Sequence, residues 1–194
     1  MSKQKYEIIV HGRGGQGAKT TAELLAQAGL KAGKFVQAFP EFGPERSGAP
    51  LRTFVRLADK FIRSHEPIVS PDAVLILDES LLNTDKVNIN IDQAKLLIVN
   101  TTKSAEKIKE VLDKNEKFKN SFSGEVMPVD ASGIAQKIIG QNRPNTVILG
   151  KFAAMNPVIT VENVVSVFEN KYIKKIGEEM TAKNVEAIRS AGSK

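Results

Sequence analysis

The sequence predicts an α/β fold: a mixed, mostly parallel Rossmann-like sheet with helices on both faces and a helical C-terminal region. Three observations carry that expectation. A short apolar strand, Tyr6–Val10, runs through a glycine-rich turn into a helix, which is how a βαβ unit opens. Two continuous apolar runs, Ala73–Leu77 and Leu96–Val99, have the pattern of strands buried on both faces. From Ser132 onward, apolar residues recur at helical spacing.

The elements follow in order. The first helix is expected from about Thr20 to Ala32, with Leu24, Leu25 and Ala28 on its inner stripe. Lys34–Phe39 reads as a second strand. Pro40–Pro50 holds three prolines and two glycines, so no regular element passes through it, yet it carries Glu41, Phe42, Glu45 and Arg46. Leu51–Leu57 alternates polar and apolar residues, as a half-buried strand does. A turn at Asp59-Lys60 would lead into a short return strand, Phe61–Ser64, completing a hairpin. The Ala73–Leu77 strand ends at Asp78-Glu79-Ser80, on the edge where open α/β sheets bind ligands. Leu96–Asn100 is the next strand, Ser104–Phe118 a helix, and Val126–Asp130 a last strand that Pro128 places at a sheet edge. Four helices close the chain. Their stripes are Ile134, Ile138 and Ile139; Val147, Ile148, Phe152 and Met155; Val164, Val165 and Phe168 behind a Thr160 cap; and Met180, Val185 and Ile188 within about Glu178–Arg189.

The totals narrow the function. A length of 194 residues, 41% of them hydrophobic, suits one domain spanning 1–194 with a full core. No run approaches the ~18 apolar residues of a membrane helix, and the N-terminal strand is too short for a secretory signal. The chain has no cysteine, which excludes disulfides, thiolate catalysis and any Fe–S cluster held by this chain alone. A cytoplasmic location fits. The formal charge of +6 comes with Lys and Glu interspersed along the helices, and aromatics are 6% with no Trp. That pattern offers no base-stacking platform for nucleic acid and suits acidic ligands or partners instead.

The chemistry concentrates in His11–Thr20. Gly12, Gly14, Gly15 and Gly17 allow a tight turn and leave bare amides at a helix N-terminus, where anions are favoured. Gly12, Gly14 and Gly17 match the dinucleotide fingerprint, so a free-standing NAD-binding reductase is one reading. The acid that would hold the ribose is missing from the end of the second strand, and Glu41 lies beyond Pro40. As a P-loop the stretch fails, because Ala18 separates Gly17 from Lys19-Thr20. A tight structural turn, with Arg13 or Gln16 reaching a neighbouring chain, is the third reading. His11 reads as a core or solvated histidine, since the other histidine, His65, lies far off in a loop. Asp78-Glu79 reads as a helix cap before it reads as an acid/base pair. Ser47 is not in a nucleophile elbow, so no hydrolase is indicated.

Two stretches together, His11–Gly17 and Ala38–Pro50, resemble the gamma subunit of 2-oxoacid:ferredoxin oxidoreductases, nearest to the pyruvate subtype. Phe54–Arg56, Pro71–Asp78, Leu97–Thr101 and Pro144–Gly150 extend the resemblance over nearly the whole chain. Phe42 stands where Tyr is usual and Pro44 where Ala is common. The resemblance implies a complex that oxidatively decarboxylates a 2-oxoacid to acyl-CoA and CO2, passes electrons to ferredoxin, and can run in reverse. It also implies thiamine diphosphate and Mg in alpha and beta subunits, and Fe–S clusters in cysteine-rich parts such as a ferredoxin-like delta subunit. Gamma would bind none of these by itself, act as a non-autonomous subunit docked on the alpha/beta core, and help to bind coenzyme A. On that basis Gly12, Arg13, Gly14, Gly15, Gln16, Gly17 and Lys19 are candidates for a coenzyme A phosphate loop. Glu41, Phe42, Glu45 and Arg46 are candidates for the subunit interface. No catalytic residue and no metal ligand is expected here. A 2-oxoisovalerate-specific homologue is the alternative substrate assignment.

Overall fold

A computed structural model describes residues 5–41, 48–83, 91–115 and 122–193. Six strands form one sheet in the order β2-β3-β1-β4-β5-β6. They are β1 (Lys5–Arg13), β2 (Phe35–Pro40), β3 (Pro50–Ala58), β4 (Ala73–Ile76), β5 (Leu96–Asn100) and β6 (Glu125–Val129). Five point the same way and β3 alone runs against them. The helices are α1 (Ala18–Lys31), α2 (Ala105–Asp113), α3 (Ala131–Ile139), α4 (Pro144–Met155) and α5 (Val161–Gly192). The expected mixed, mostly parallel sheet is therefore what forms.

Its two faces carry different cores. On one face α1, α3, α4 and α5 pack over Ile8, Val10, Val55, Leu75 and Ile98. On the other, α2 and the 3-10 turn Glu79–Asn83 supply Ile108, Leu112, Leu81 and Leu82 against Ile9, Phe54, Ile76 and Val99. Alternation along each strand produces the division: Ile8 and Val10 face one way, Ile9 and His11 the other. β4 is buried throughout, as its unbroken apolar run requires. Pro128 lies in β6, an edge strand, where a missing N–H is tolerated.

Four expectations are corrected. The hairpin is β2–β3, not β3 with a return strand, and the segment Phe61–Ser64 is irregular. Both edges of β3 are already paired, one with β1 and one with β2, so a return strand has no donors or acceptors left to meet. The segment is instead held by single anchors: Ile62 and Ile68 are buried, and Arg56 donates to the Glu66 carbonyl at 2.5 Å. Next, α1 begins at Ala18, earlier than Thr20, because Gly17 takes φ 85° and releases the chain directly into the helix. Finally, α2 ends at Asp113 and not Phe118. Three positions beyond Leu112 stands Asn115, a polar residue that does not continue the apolar stripe. The half-burial expected of β3 also gives way: Thr53–Ala58 is buried throughout, between cores on the two faces of the sheet. Thr160 caps α5 in a reciprocal capping box with Asn163, and Gly177 (φ 80°, ψ 167°) breaks the helical conformation just before Glu178.

Helices α4 and α5 approach so closely that a Cβ at Gly150 would overlap the backbone carbonyl of Ile188. Backbone cannot yield as a side chain can. Gly150→Ala should therefore lower folding stability by about 1–3 kcal/mol, read as a fall in the thermal midpoint.

Candidate functional site

The strands that point the same way end at one edge of the sheet, and both signature loops lie there. β1 ends in the glycine loop, β2 leads into the 41–49 connection, and β3 begins at Pro50, directly opposite Arg13. β1 and β4 are the neighbours at which the chain switches from building leftward to building rightward, the crevice where such sheets bind ligands. Gly14 N donates to the Ala49 carbonyl (3.0 Å) and Gly48 N to the Gly14 carbonyl (3.3 Å), so the two loops are stitched together by backbone. Of the second loop, Phe42, Glu45, Arg46 and Ser47 lie outside the described residues.

Arg13 is the hub of this edge. Its Nη1 donates to the Gly48 carbonyl at 3.1 Å, and its Nη2 to Ser80 Oγ at 2.8 Å. Its Nε lies 3.3 Å from both Ser80 Oγ and Asp78 Oδ2. Gln16 braces the turn from inside: its Oε1 accepts from Arg13 N (2.8 Å) and its Nε2 donates to Asp78 Oδ2 (2.9 Å). Strand alternation puts Arg13 on the sheet face opposite α1. The sequence reading placed Arg13 beside the helix amides; the structure gives it to Asp78, Ser80 and Gly48.

The start of α1 is different. Gly17 is its N-cap, no side chain caps it, and no acidic residue lies in the first turn. Its leading N–H groups are thus the ones left for an anion. Lys19 is exposed in that turn and makes no ion pair among the described residues. The N-terminus of α4 closes in from the side, leaving a Cβ at Gly17 only 2.9 Å from Asn145 Cγ. Gly12 lets the helix sit on its strand, since a Cβ there would be 3.1 Å from the Ala18 Cβ.

Of the acidic pair after β4, Asp78 caps the 3-10 turn as expected, whereas Glu79 binds the Thr101 hydroxyl and Lys103. Asp78 Oδ1 accepts from Ser80 N (3.0 Å) and Ser80 Oγ (2.6 Å). Desolvation pushes the Asp78 carboxyl up, but hydrogen bonds from Ser80 and Gln16 and the Arg13 charge together hold it below its ordinary value. Glu79 is lowered by the Thr101 hydroxyl first and then, against some desolvation, by Lys103. Both are therefore carboxylates at neutral pH, not proton donors.

Glu41 fails as a ribose-binding acid. It is ion-paired with Arg52, accepting from Nε and, at 2.6 Å, from Nη2. β3 also separates β2 from β1, which moves Glu41 roughly 9–10 Å from the strand that carries the fingerprint. Among the described residues, no three His, Asp or Glu side chains group to hold a metal ion.

Two side chains at this edge escaped the sequence reading as contributors. Ser80 anchors Arg13. Asn100 Nδ2 donates to the Leu77 carbonyl (2.9 Å) and Ser132 Oγ (3.0 Å), while its Oδ1 accepts from Ser132 N (3.0 Å), joining β4, β5 and α3. Polar residues just past buried strands on a ligand-binding edge were the available signal.

Comparison with known proteins shows the family and the fold. A family model described as pyruvate ferredoxin/flavodoxin oxidoreductase matches residues 7–193. The chain is 38% identical over 189 residues to pyruvate synthase subunit PorC of Thermotoga maritima, covering 97% of this chain and 94% of that one. It is 43% identical over 188 residues to the pyruvate/ketoisovalerate oxidoreductases common subunit gamma of Thermococcus kodakarensis, covering 97% and 96%. The crystal structure of pyruvate oxidoreductase subunit PORC from Thermotoga maritima superposes with a TM-score of 0.81 at 35% identity, over 99% and 97% of the two chains. A 2-oxoglutarate:ferredoxin oxidoreductase chain from Magnetococcus marinus shares the fold (TM-score 0.75, 21% identity), and there it makes up 31% of a longer chain.

His11 proves to be a core histidine, 2% exposed, with an unpartnered Nε2. Burial and then the Arg52 charge push its imidazole down to about 3. Unfolded, it takes up a proton near its ordinary 6.5, so the unfolded state binds more protons between these values. Stability should therefore fall as pH drops from about 6.5 towards 3, and His11→Leu should flatten that part of the profile in urea titrations between pH 4 and 7.5. An unchanged slope would assign the loss to other groups.

Proposed function

The chain belongs to the pyruvate ferredoxin/flavodoxin oxidoreductase family, and from that premise we propose that it is the gamma subunit of a complex that converts pyruvate and coenzyme A to acetyl-CoA and CO2, with two electrons passed to ferredoxin. The observation that supports this reading is the match to gamma-type subunits along almost the entire chain. Alpha and beta subunits supply the thiamine diphosphate chemistry, and a ferredoxin-like delta subunit carries the clusters. That division suits a chain without cysteine.

Gamma does not choose the 2-oxoacid in this proposal. The Thermococcus kodakarensis relative is named as common to pyruvate and ketoisovalerate oxidoreductases. A subunit shared between two such enzymes cannot carry the pocket that tells their substrates apart. Its contribution lies elsewhere, in docking and in holding the coenzyme. The uncapped start of α1, with Lys19 beside it, suits the phosphates of coenzyme A. The 41–49 connection, stitched to the glycine loop, suits a contact with the alpha and beta subunits at the same edge.

Two measurements test these roles. Calorimetric titration of coenzyme A into the assembled complex should show Lys19→Ala weakening affinity by about 3–10-fold, and more so at low salt. An unaltered affinity removes Lys19 from the phosphate site. Arg46→Ala should loosen the complex, so that gamma separates from alpha and beta on size exclusion; intact co-elution would remove Arg46 from the interface.

A further inference from the structure

We propose that Asp78 is an internal competitor that sets how strongly Arg13 takes an incoming phosphate; this rests on reading the glycine-loop edge as the site of the coenzyme A phosphates, and adds the group that regulates it. The geometry at Arg13 divides into two kinds of contact. The carboxylate comes nearest the guanidinium at Nε, 3.3 Å from Oδ2. The terminal nitrogens, Nη1 and Nη2, are held by neutral acceptors, the Gly48 carbonyl at 3.1 Å and Ser80 Oγ at 2.8 Å. Nη1 and Nη2 form the edge through which arginine grips a phosphate with two parallel hydrogen bonds.

Exchange at this edge is therefore undemanding. A phosphate replaces two neutral acceptors with two charged ones, and the displaced groups stay solvated, because Ser80 is exposed and the Arg13 side chain is 30% accessible. Asp78 is what opposes the exchange. Its carboxylate holds Arg13 from the side and stands as a like charge beside the arriving phosphate. It cannot step aside by taking up a proton, since Ser80 and Gln16 stabilise its charged form. Those same bonds fix it in place. Arg13 thus has a resting position on Asp78 and Ser80 that ties the glycine loop to the second loop, and a loaded position in which a phosphate takes its terminal edge.

Asp78→Asn removes the charge, keeps an acceptor for either Gln16 or Ser80, and turns the other oxygen into a donor. Titration of coenzyme A into the assembled complex should show that variant binding about 3–10-fold more tightly than the parent. Arg13→Ala should bind more weakly, and adding Asp78→Asn to Arg13→Ala should change nothing further. Ser80→Ala, which frees Nη2 from its neutral acceptor, should also tighten binding, and it carries the test if Asp78→Asn fails to assemble. If Arg13→Ala weakens binding while Asp78→Asn and Ser80→Ala leave it equal or weaker, Asp78 is no competitor and the phosphate reading stands. If none of the variants shifts the affinity, Arg13 has no part in phosphate binding and this inference falls, while Lys19→Ala decides separately whether the start of α1 holds a phosphate.

Discussion

β3 runs antiparallel between β1 and β2, and that register decides where every polar group of the functional edge can be. Pairing from Lys5↔Ala58 to Arg13↔Pro50 puts the end of the glycine loop against the end of the second loop. Backbone hydrogen bonds between Gly14, Gly48 and Ala49 then close the contact. The same strand pushes β2 to the outside of the sheet and carries Glu41 with it. A sheet with β2 beside β1 could place an acid near a ribose; this one uses the acid to neutralise Arg52. One topological choice thus joins the two signature loops and removes the geometry that dinucleotide binding needs.

Charge at this edge is spent largely on holding loops. Arg13 joins three segments, Gln16 locks the turn from within, and Ser80 and Asp78 fasten both to the end of β4. Asn100 extends the network to β5 and α3. Beneath it, Arg56 is almost completely buried and paired with Glu7 at 2.9 Å, with Gln37 and the Glu66 carbonyl on its other nitrogens. Such a pair contributes most by being fully satisfied, because a lone buried guanidinium would be costly. What remains accessible to a ligand is the start of α1, the exposed Lys19 and the partly exposed guanidinium of Arg13.

The fold class was legible because its signals are local. Unbroken apolar runs at β4 and β5, the 3.6-residue stripes after Ser132, Pro128 at an edge and the Thr160 cap each need only a few neighbouring residues to be recognised. The reading failed where an element depends on what is already paired. Phe61–Ser64 has the composition of a strand, but β3 has no free edge to receive it. The site was legible in part for the same reason. The glycines mark a tight turn wherever they stand, whereas the partner of Arg13 lies 65 and 67 positions away at Asp78 and Ser80.

The sequence by itself therefore determined the element types, the two-sided burial of the central strands, the lack of thiol chemistry and, through two short loops, the family. Tertiary structure decided the rest: which strands neighbour each other, that Arg13 faces Asp78 and not the helix amides, that Glu41 serves Arg52, and that His11 is sealed in the core. The physical reason is one of range. Apolar periodicity and backbone geometry are set within a few residues, but the state of a charge is set by whichever group the fold brings within about 4 Å of it.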